Sequence, residues 1–225
     1  MRRLGLTAAI VILALLAAGG YTASAGAAVY QDLDSGRQAL LAAQASMTAA
    51  ARSGDPAGLQ SAAAQLTLAE RHFNDARERS ATDPALRLAS GIPGAGRQLD
   101  ASTHLAAIGA DMSRAGQGAA AVAIQVAALK EKYAGRTLTA DDLQAALQEA
   151  QAIARTYSAS IQAISQQLRA AHAERAQVDT TELVGQLKEA YAAVDRALAE
   201  ADTSFRRYQD VRQVLSDFLG VQLPP

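Results

Sequence analysis

The sequence predicts an all-α protein carrying an N-terminal membrane segment, and three observations lead there. About a quarter of the 225 residues are Ala, apolar side chains recur every three to four positions along most of the chain, and residues 4–31 carry no charge. Ala has the highest helix propensity and covers little area, so such a chain forms long helices that pack closely instead of meeting through a few bulky anchors. Aromatics are only 4% and Trp is absent, which fits the same picture. No β-branched run with period-two alternation competes with it.

Formal net charge is −1 with both signs interspersed. That balance lacks the long-range attraction a nucleic-acid binder or a peripheral protein on an anionic membrane would use, so no nucleic-acid partner is expected. With no Cys in the chain there is no disulfide frame, thiol nucleophile, cysteine metal site or acylated Cys.

Met1-Arg2-Arg3 precedes the uncharged stretch, whose core holds Leu4, Leu6, Ile10, Val11, Ile12, Leu13, Leu15 and Leu16. Those eight side chains contribute roughly −4 kcal/mol to membrane insertion, partly offset by Gly5, Thr7, Gly19 and Gly20. Two readings share the segment: a retained anchor over residues 1–31, or a signal peptide cut after Ala23-Ser24-Ala25. Its length favours the anchor, with the basic pair inside and Tyr21 or Tyr30 at the interface. Either way the cytoplasmic membrane is the first expected partner and the bulk of the chain is extracytoplasmic. The uncharged run 115–129 contains Gln117 and Gln125 and is too short for a second span.

The exported part, 32–220, is expected to be an elongated antiparallel bundle of about five long helices, followed by a short tail, 221–225. The first helix covers 32–52 with Leu33, Leu40, Leu41 and Met47 inward, and ends at Ser53-Gly54. Asp55-Pro56 opens the second as N-cap and first helical residue. Leu59, Leu66 and Phe73 then stand at heptad spacing, with Ala62, Ala69 and Ala76 on the same seam. Asp83-Pro84 starts a brief helical turn over 85–90 that runs into the corner Gly91-Ile92-Pro93-Gly94.

The third long helix carries Leu105, Ile108, Met112, Ala115, Ala119, Val122, Val126, Leu129 and Tyr133, and ends at Gly135. Gly109, Gly116 and Gly118 within it each cost about 1 kcal/mol relative to Ala, which predicts a bend or a close crossing. Thr139-Ala140-Asp141-Asp142 opens the fourth as a capping box. Its seam is Leu143, Leu147, Ala150, Ala154, Tyr157, Ile161, Ile164, Leu168 and Ala171. A charge there, as in Ile161→Asp, is expected to unfold the bundle. Residues 177–181 turn the chain. Asp179 is expected to cap the fifth helix with Glu182 reaching back, and Leu183, Leu187, Tyr191, Val194, Leu198, Ala201, Phe205 and Tyr208 continue to Leu215 and Leu219.

Groups able to do chemistry are sparse. His72, His104 and His172 fall on three helices and read as flank residues, without a metal-ligating partner at i, i+4 on their own helix. Gly94-Ala95-Gly96-Arg97 lacks the preceding strand and the Lys-Ser/Thr of a phosphate loop, so it reads as a corner. Asp141 and Asp142 serve a helix start. Arg206, Arg207 and Arg212 near Tyr208 interleave with Asp202, Asp210 and Asp217 as a solvated face. No catalytic, cofactor-binding or metal-ligating residue is assigned, and no cofactor is expected.

At the corner, Pro84-Ala85-Leu86-Arg87-Leu88 and then Ile92-Pro93-Gly94-Ala95-Gly96-Arg97-Gln98-Leu99-Asp100-Ala101 resemble the N-terminal helical part of the bacterial domain-of-unknown-function family numbered four-zero-one-two. Gly54-Asp55 matches its Gly-Asp break, and Leu215-Ser216-Asp217-Phe218-Leu219-Gly220 its Leu-Leu-Gly exit. The resemblance spans nearly the whole chain, although only the corner is distinctive, and it implies a cell-envelope setting. In the family a further domain follows, opening with a Tyr-Leu strand and an Asn-x-Glu-x-Arg-x-x-Gly-Gly segment. This sequence stops at Pro224-Pro225, so that domain's activity does not carry over; a truncated reading frame and a stalk that persists alone both fit.

The function expected is therefore a non-enzymatic, membrane-tethered extracytoplasmic helical stalk or scaffold contacting an envelope protein or glycan. The alternative is a sensor-type ligand-binding bundle of the chemoreceptor periplasmic class, which needs a second span and a cytoplasmic signalling helix.

Overall fold

A computed structural model of the chain describes residues 24–209 apart from 54, 93, 134–138, 182 and 184. The core of the expected membrane segment, the exit 215–220, the tail 221–225 and the expected roles of Gly54, Pro93, Gly135, Glu182, Tyr208, Arg207 and Arg212 lie outside what is described at those positions. Among the described residues the chain is all-α, as the composition predicts, with seven helices and no strand. These are α1 Ser24–Ser53, α2 Pro56–Thr82, α3 Pro84–Ser90, α4 Ala95–Tyr133, α5 Ala140–Thr156, α6 Ser158–Gln177 and α7 Gly185–Gln209. No helix among the described residues is long and apolar enough to cross a membrane.

Local signals place most of the helix ends. Asp55 caps α2, its Oδ1 accepting from the Ala57 amide at 2.9 Å with Pro56 in the first turn. Asp83 closes α2 through its own amide and also accepts from the Leu86 amide at the start of α3. Thr139 and Asp142 form the predicted reciprocal capping box. At the corner Gly94 takes φ +87°, a conformation L side chains resist, and a Cβ on Gly96 would lie 2.3 Å from the Ser90 carbonyl oxygen.

α1, described from Ser24, runs across the expected boundary at 31/32 with Val29 already in the core. Two expectations change. The predicted fourth helix is divided at Tyr157, whose φ of −98° and ψ of 10° lie outside the helical basin. Hydrogen bonds from the Tyr157 amide to Ile153 and from the Ile161 amide to Tyr157 persist across the break, so the chain continues in nearly the same direction. Asp179 does not cap α7; its carboxylate accepts from the Thr181 amide and hydroxyl, closing a turn before the helix starts at Gly185.

Long helices alternate in direction. Asp32 meets Arg79 while Gly36 faces Phe73, Glu70 meets Arg114 while Leu66 faces Gly116, His104 meets Glu174 while Gly118 faces Ile164, and Arg175 meets Asp195 while His172 meets Asp202, so residue numbers rise on one helix as they fall on the next. Ser24, the corner and the turn at 178–181 therefore share one end of the bundle. The 39-residue α4 is about 58 Å long, and the object is elongated as predicted.

α4 is the central helix, packed on α2 and α6 and touched by α7. Residues 105–111 are consequently buried on every side, where the heptad seam predicts only one face. The seam positions Leu33, Leu40, Leu66, Phe73, Leu105, Ile108, Ile164, Leu168, Leu187, Val194 and Leu198 are all buried. Ile161, by contrast, is only half-buried; Ile164 on the same seam is buried, and its Cγ1 would lie 2.9 Å from a Cβ on Gly118.

Phe73 joins three helices. A Cβ at Gly36 on α1 would lie 2.9 Å from its Cε1, and one at Gly109 on α4 would lie 2.9 Å from Cδ2, Cε2 and Cζ. The ring is fully buried between two glycines, so the predicted close crossing at Gly109 is present. Gly116 meets Leu66 in the same manner.

Overpacking costs about 1–3 kcal/mol and the helix gain of Ala over Gly is about 1 kcal/mol. Gly109→Ala is therefore expected to lower the melting temperature of the full chain, with a net loss of roughly 1 kcal/mol. In a Phe73→Leu background, where the ring edge is gone, the same change should raise it. Equal effects in the two backgrounds would dismiss the clamp. Ile164→Asp is expected to abolish the cooperative melt, which circular dichroism reads directly.

Candidate functional site

The side chains with chemistry gather along the helix interfaces. Between α2 and α4, Arg114 donates from Nε to Glu70 at 2.6 Å and from a terminal nitrogen to Asp111 at 2.9 Å. Gln117 donates to the second oxygen of Glu70 at 2.8 Å. Asp111 is 8% exposed, the most enclosed carboxylate among the described residues. Burial pushes its pKa above the ordinary value, against the pull of Arg114 and Arg77, while Glu174 and Glu70 add to the rise. Its neighbour Ser113 is fully buried and returns its hydroxyl to the Gly109 carbonyl at 2.7 Å.

Between α4 and α6, His104 Nδ1 sits 2.6 Å from Glu174, and its Nε2 is 3.6 Å from Asp100. Between α6 and α7, His172 Nε2 meets Asp202 at 2.9 Å. Arg175 pairs with Asp195 and lies over the Tyr191 ring, 5.2 Å from its centre. At the far end of α4, Tyr133 and Lys132 both donate to Glu149 of α5.

A third group lies between α1 and α2. Asp32, His72 and Asp75 each place one ligand-capable atom within 4.8 Å of the others, all partly buried. Arg79 Nε stands 2.6 Å from Asp32 Oδ2 as an ion pair whose angles are not those of a hydrogen bond.

All three histidines are partly buried on helix flanks, where His104 and His172 each face a carboxylate on another helix and His72 lies beside two. Asp100 stands four residues before His104 on the same helix, which corrects the expected absence of an i, i+4 partner. Asp75, three residues after His72, was equally legible; Asp32, Glu174 and Asp202 were not, because they arrive from other helices. The signal for Asp111 was a lone charge within an otherwise apolar stretch, between Ala110 and Met112.

The remaining candidates stay apart from these groups. Gly94 and Gly96 form the corner, Asp142 serves the cap of α5, and Arg206 is exposed. Open surface depressions lie on α1 at Leu41, Ala45 and Thr48 and at the corner beside Ile92, Arg97 and Asp100. Asp111 lines neither of these, and its carboxylate sits in the packed interface of α2 and α4.

No family model, curated protein or solved structure matches this chain.

A carboxyl whose pKa is higher folded than unfolded takes up a proton on folding, so its contribution to stability grows as pH falls through the folded pKa toward 3.8. The melting-temperature difference, wild type minus Asp111→Asn, is accordingly expected to become more positive between pH 7 and pH about 4. Carboxylates that are not coupled to Asp111 cancel in that difference. A gap that is flat or moves the opposite way would contradict the burial effect.

Proposed function

We propose that the protein is a non-enzymatic stalk or scaffold, tethered to the cytoplasmic membrane by its N-terminal segment, with the bundle on the extracytoplasmic side. What carries this reading is the way the helix ends are sorted. Residues 24–31 of the uncharged stretch 4–31 are already helical, and that helix runs on into the core at Val29 without a linker. The corner shares that end of the bundle, and it presents Leu88 and Ile92 at 79% and 58% exposure. Apolar side chains in that position suit a headgroup boundary, where burial of each would be favourable by about 1.5–3 kcal/mol.

The opposite end stands roughly 60 Å away, and the outer helix faces between are available to an envelope protein or glycan. Ion pairs and hydrogen bonds between helices, as at Arg114 and His104, give the bundle a fixed register without calling for a reaction. The corner's likeness to the four-zero-one-two family belongs to the same proposal, with the chain corresponding to the leading helical part of such a protein.

Fractionation of the full-length chain tests the tether. It is expected in the membrane pellet after alkaline carbonate washing, with protease added outside spheroplasts removing the bundle. Recovery in the soluble fraction with Met1 intact would overturn the proposal, and a mature mass starting at Gly26 would replace the anchor with a cleaved signal. Crosslinking in intact envelopes tests the scaffold, which predicts a reproducible partner band that Leu88→Glu combined with Ile92→Glu leaves in place while weakening membrane retention.

A further inference from the structure

We propose that Asp32, His72 and Asp75 form a divalent-metal site of the zinc class that staples α1 to α2. The inference stands on the geometry between these two helices and does not depend on the membrane reading. His72 and Asp75 are three apart and share a face of α2, while Asp32 is brought to them from α1 by the antiparallel packing.

One imidazole nitrogen and two carboxylate oxygens make a donor set suited to zinc and related first-row ions, with a fourth position left for water. The ligand atoms lie within 4.8 Å of one another. A tetrahedral ion with bonds near 2.0–2.2 Å needs about 3.4 Å between ligand atoms, so side-chain rotation by about 1.4 Å at most closes the site.

A second observation points to a ligand. His72 Nδ1 and Asp32 Oδ2 are shut off from solvent, and neither takes part in a hydrogen bond. Buried polar atoms are ordinarily paired, and a coordinated ion would draw this donor set together and fix the ring. The cation now facing Asp32 is the guanidinium of Arg79, whose side chain is 56% exposed and therefore free to swing into water when an ion arrives. Two carboxylates against one arginine leave the group with a net negative charge that a dication reverses.

The experiment uses the full-length chain in detergent, stripped with chelator and titrated with Zn2+ as the probe. One equivalent is expected to bind per chain and, at a hundredfold excess over Kd, to raise the melting temperature by about 5–10 °C. His72→Gln and Asp75→Asn should each remove the shift. His104→Gln and His172→Gln, whose histidines face carboxylates on other helices, should keep it. Arg79→Gln should tighten binding about tenfold by removing the competing cation. Absence of saturable binding, or a shift that survives His72→Gln or Asp75→Asn, overturns the site. Should both ligand variants fail to fold, Arg79→Gln decides, because unchanged affinity there is incompatible with Asp32 as a ligand.

Discussion

Close approach of helices through positions that have almost no side chain is the constraint on which this bundle depends. Phe73 illustrates it: its ring fits between α1 and α4 only because Gly36 and Gly109 have no Cβ to meet it. The same logic recurs where Leu66 faces Gly116 and Ile164 faces Gly118. Gly109, Gly116 and Gly118 each weaken α4 as an isolated element by about 1 kcal/mol, and each permits a large side chain from a neighbour to be enclosed. Dispersion and burial over the contact outweigh the propensity loss only when the partner helix is in register. A chain with few bulky residues thus builds a defined core from small ones.

That closeness has an electrostatic consequence. With α4 enclosed over 105–111, its one charge in that stretch, Asp111, must be paired or destabilise the fold. Arg114 reaches both Asp111 and Glu70, and Gln117 completes the second carboxylate. Guanidinium serves two acceptors at once because its donors form a fixed fork. The residual cost of enclosure persists as the raised pKa of Asp111. Polar pairs of this kind add little net stability, but they penalise a slipped register, in which each partner would be left buried and unmatched.

Alternation of helix direction then determines what meets what at the two ends. The corner, the turn closed by Asp179 and Thr181, and the first residues of α1 gather at one end. On the proposed reading this end faces the membrane, and Arg79, Asp32, His72 and Asp75 lie near it between α1 and α2. A cation there would fasten the first helix to the second at the place where a tether would load the bundle. Helix pairing and anchoring would thereby act on the same pair of elements.

The sequence by itself determined the helical class, the positions of most helix ends and the inward faces of the outer helices. Those properties are local: Asp55-Pro56 and Thr139 to Asp142 cap wherever they stand, and three-four spacing marks a face on any helix. It did not show that Tyr157 would interrupt the fourth helix or that Asp179 would close a turn instead of capping. At Asp179 the same carboxylate that can cap a helix instead accepts from the Thr181 amide and hydroxyl, and the periodicity of apolar residues does not distinguish the two uses. Only the tertiary structure decided that α4 is central, which made Asp111 and Ser113 interior, and that Asp32 comes to His72 and Asp75 across forty residues of chain. Periodicity describes one helix at a time, whereas a site assembled from several helices exists only after their order and register are set.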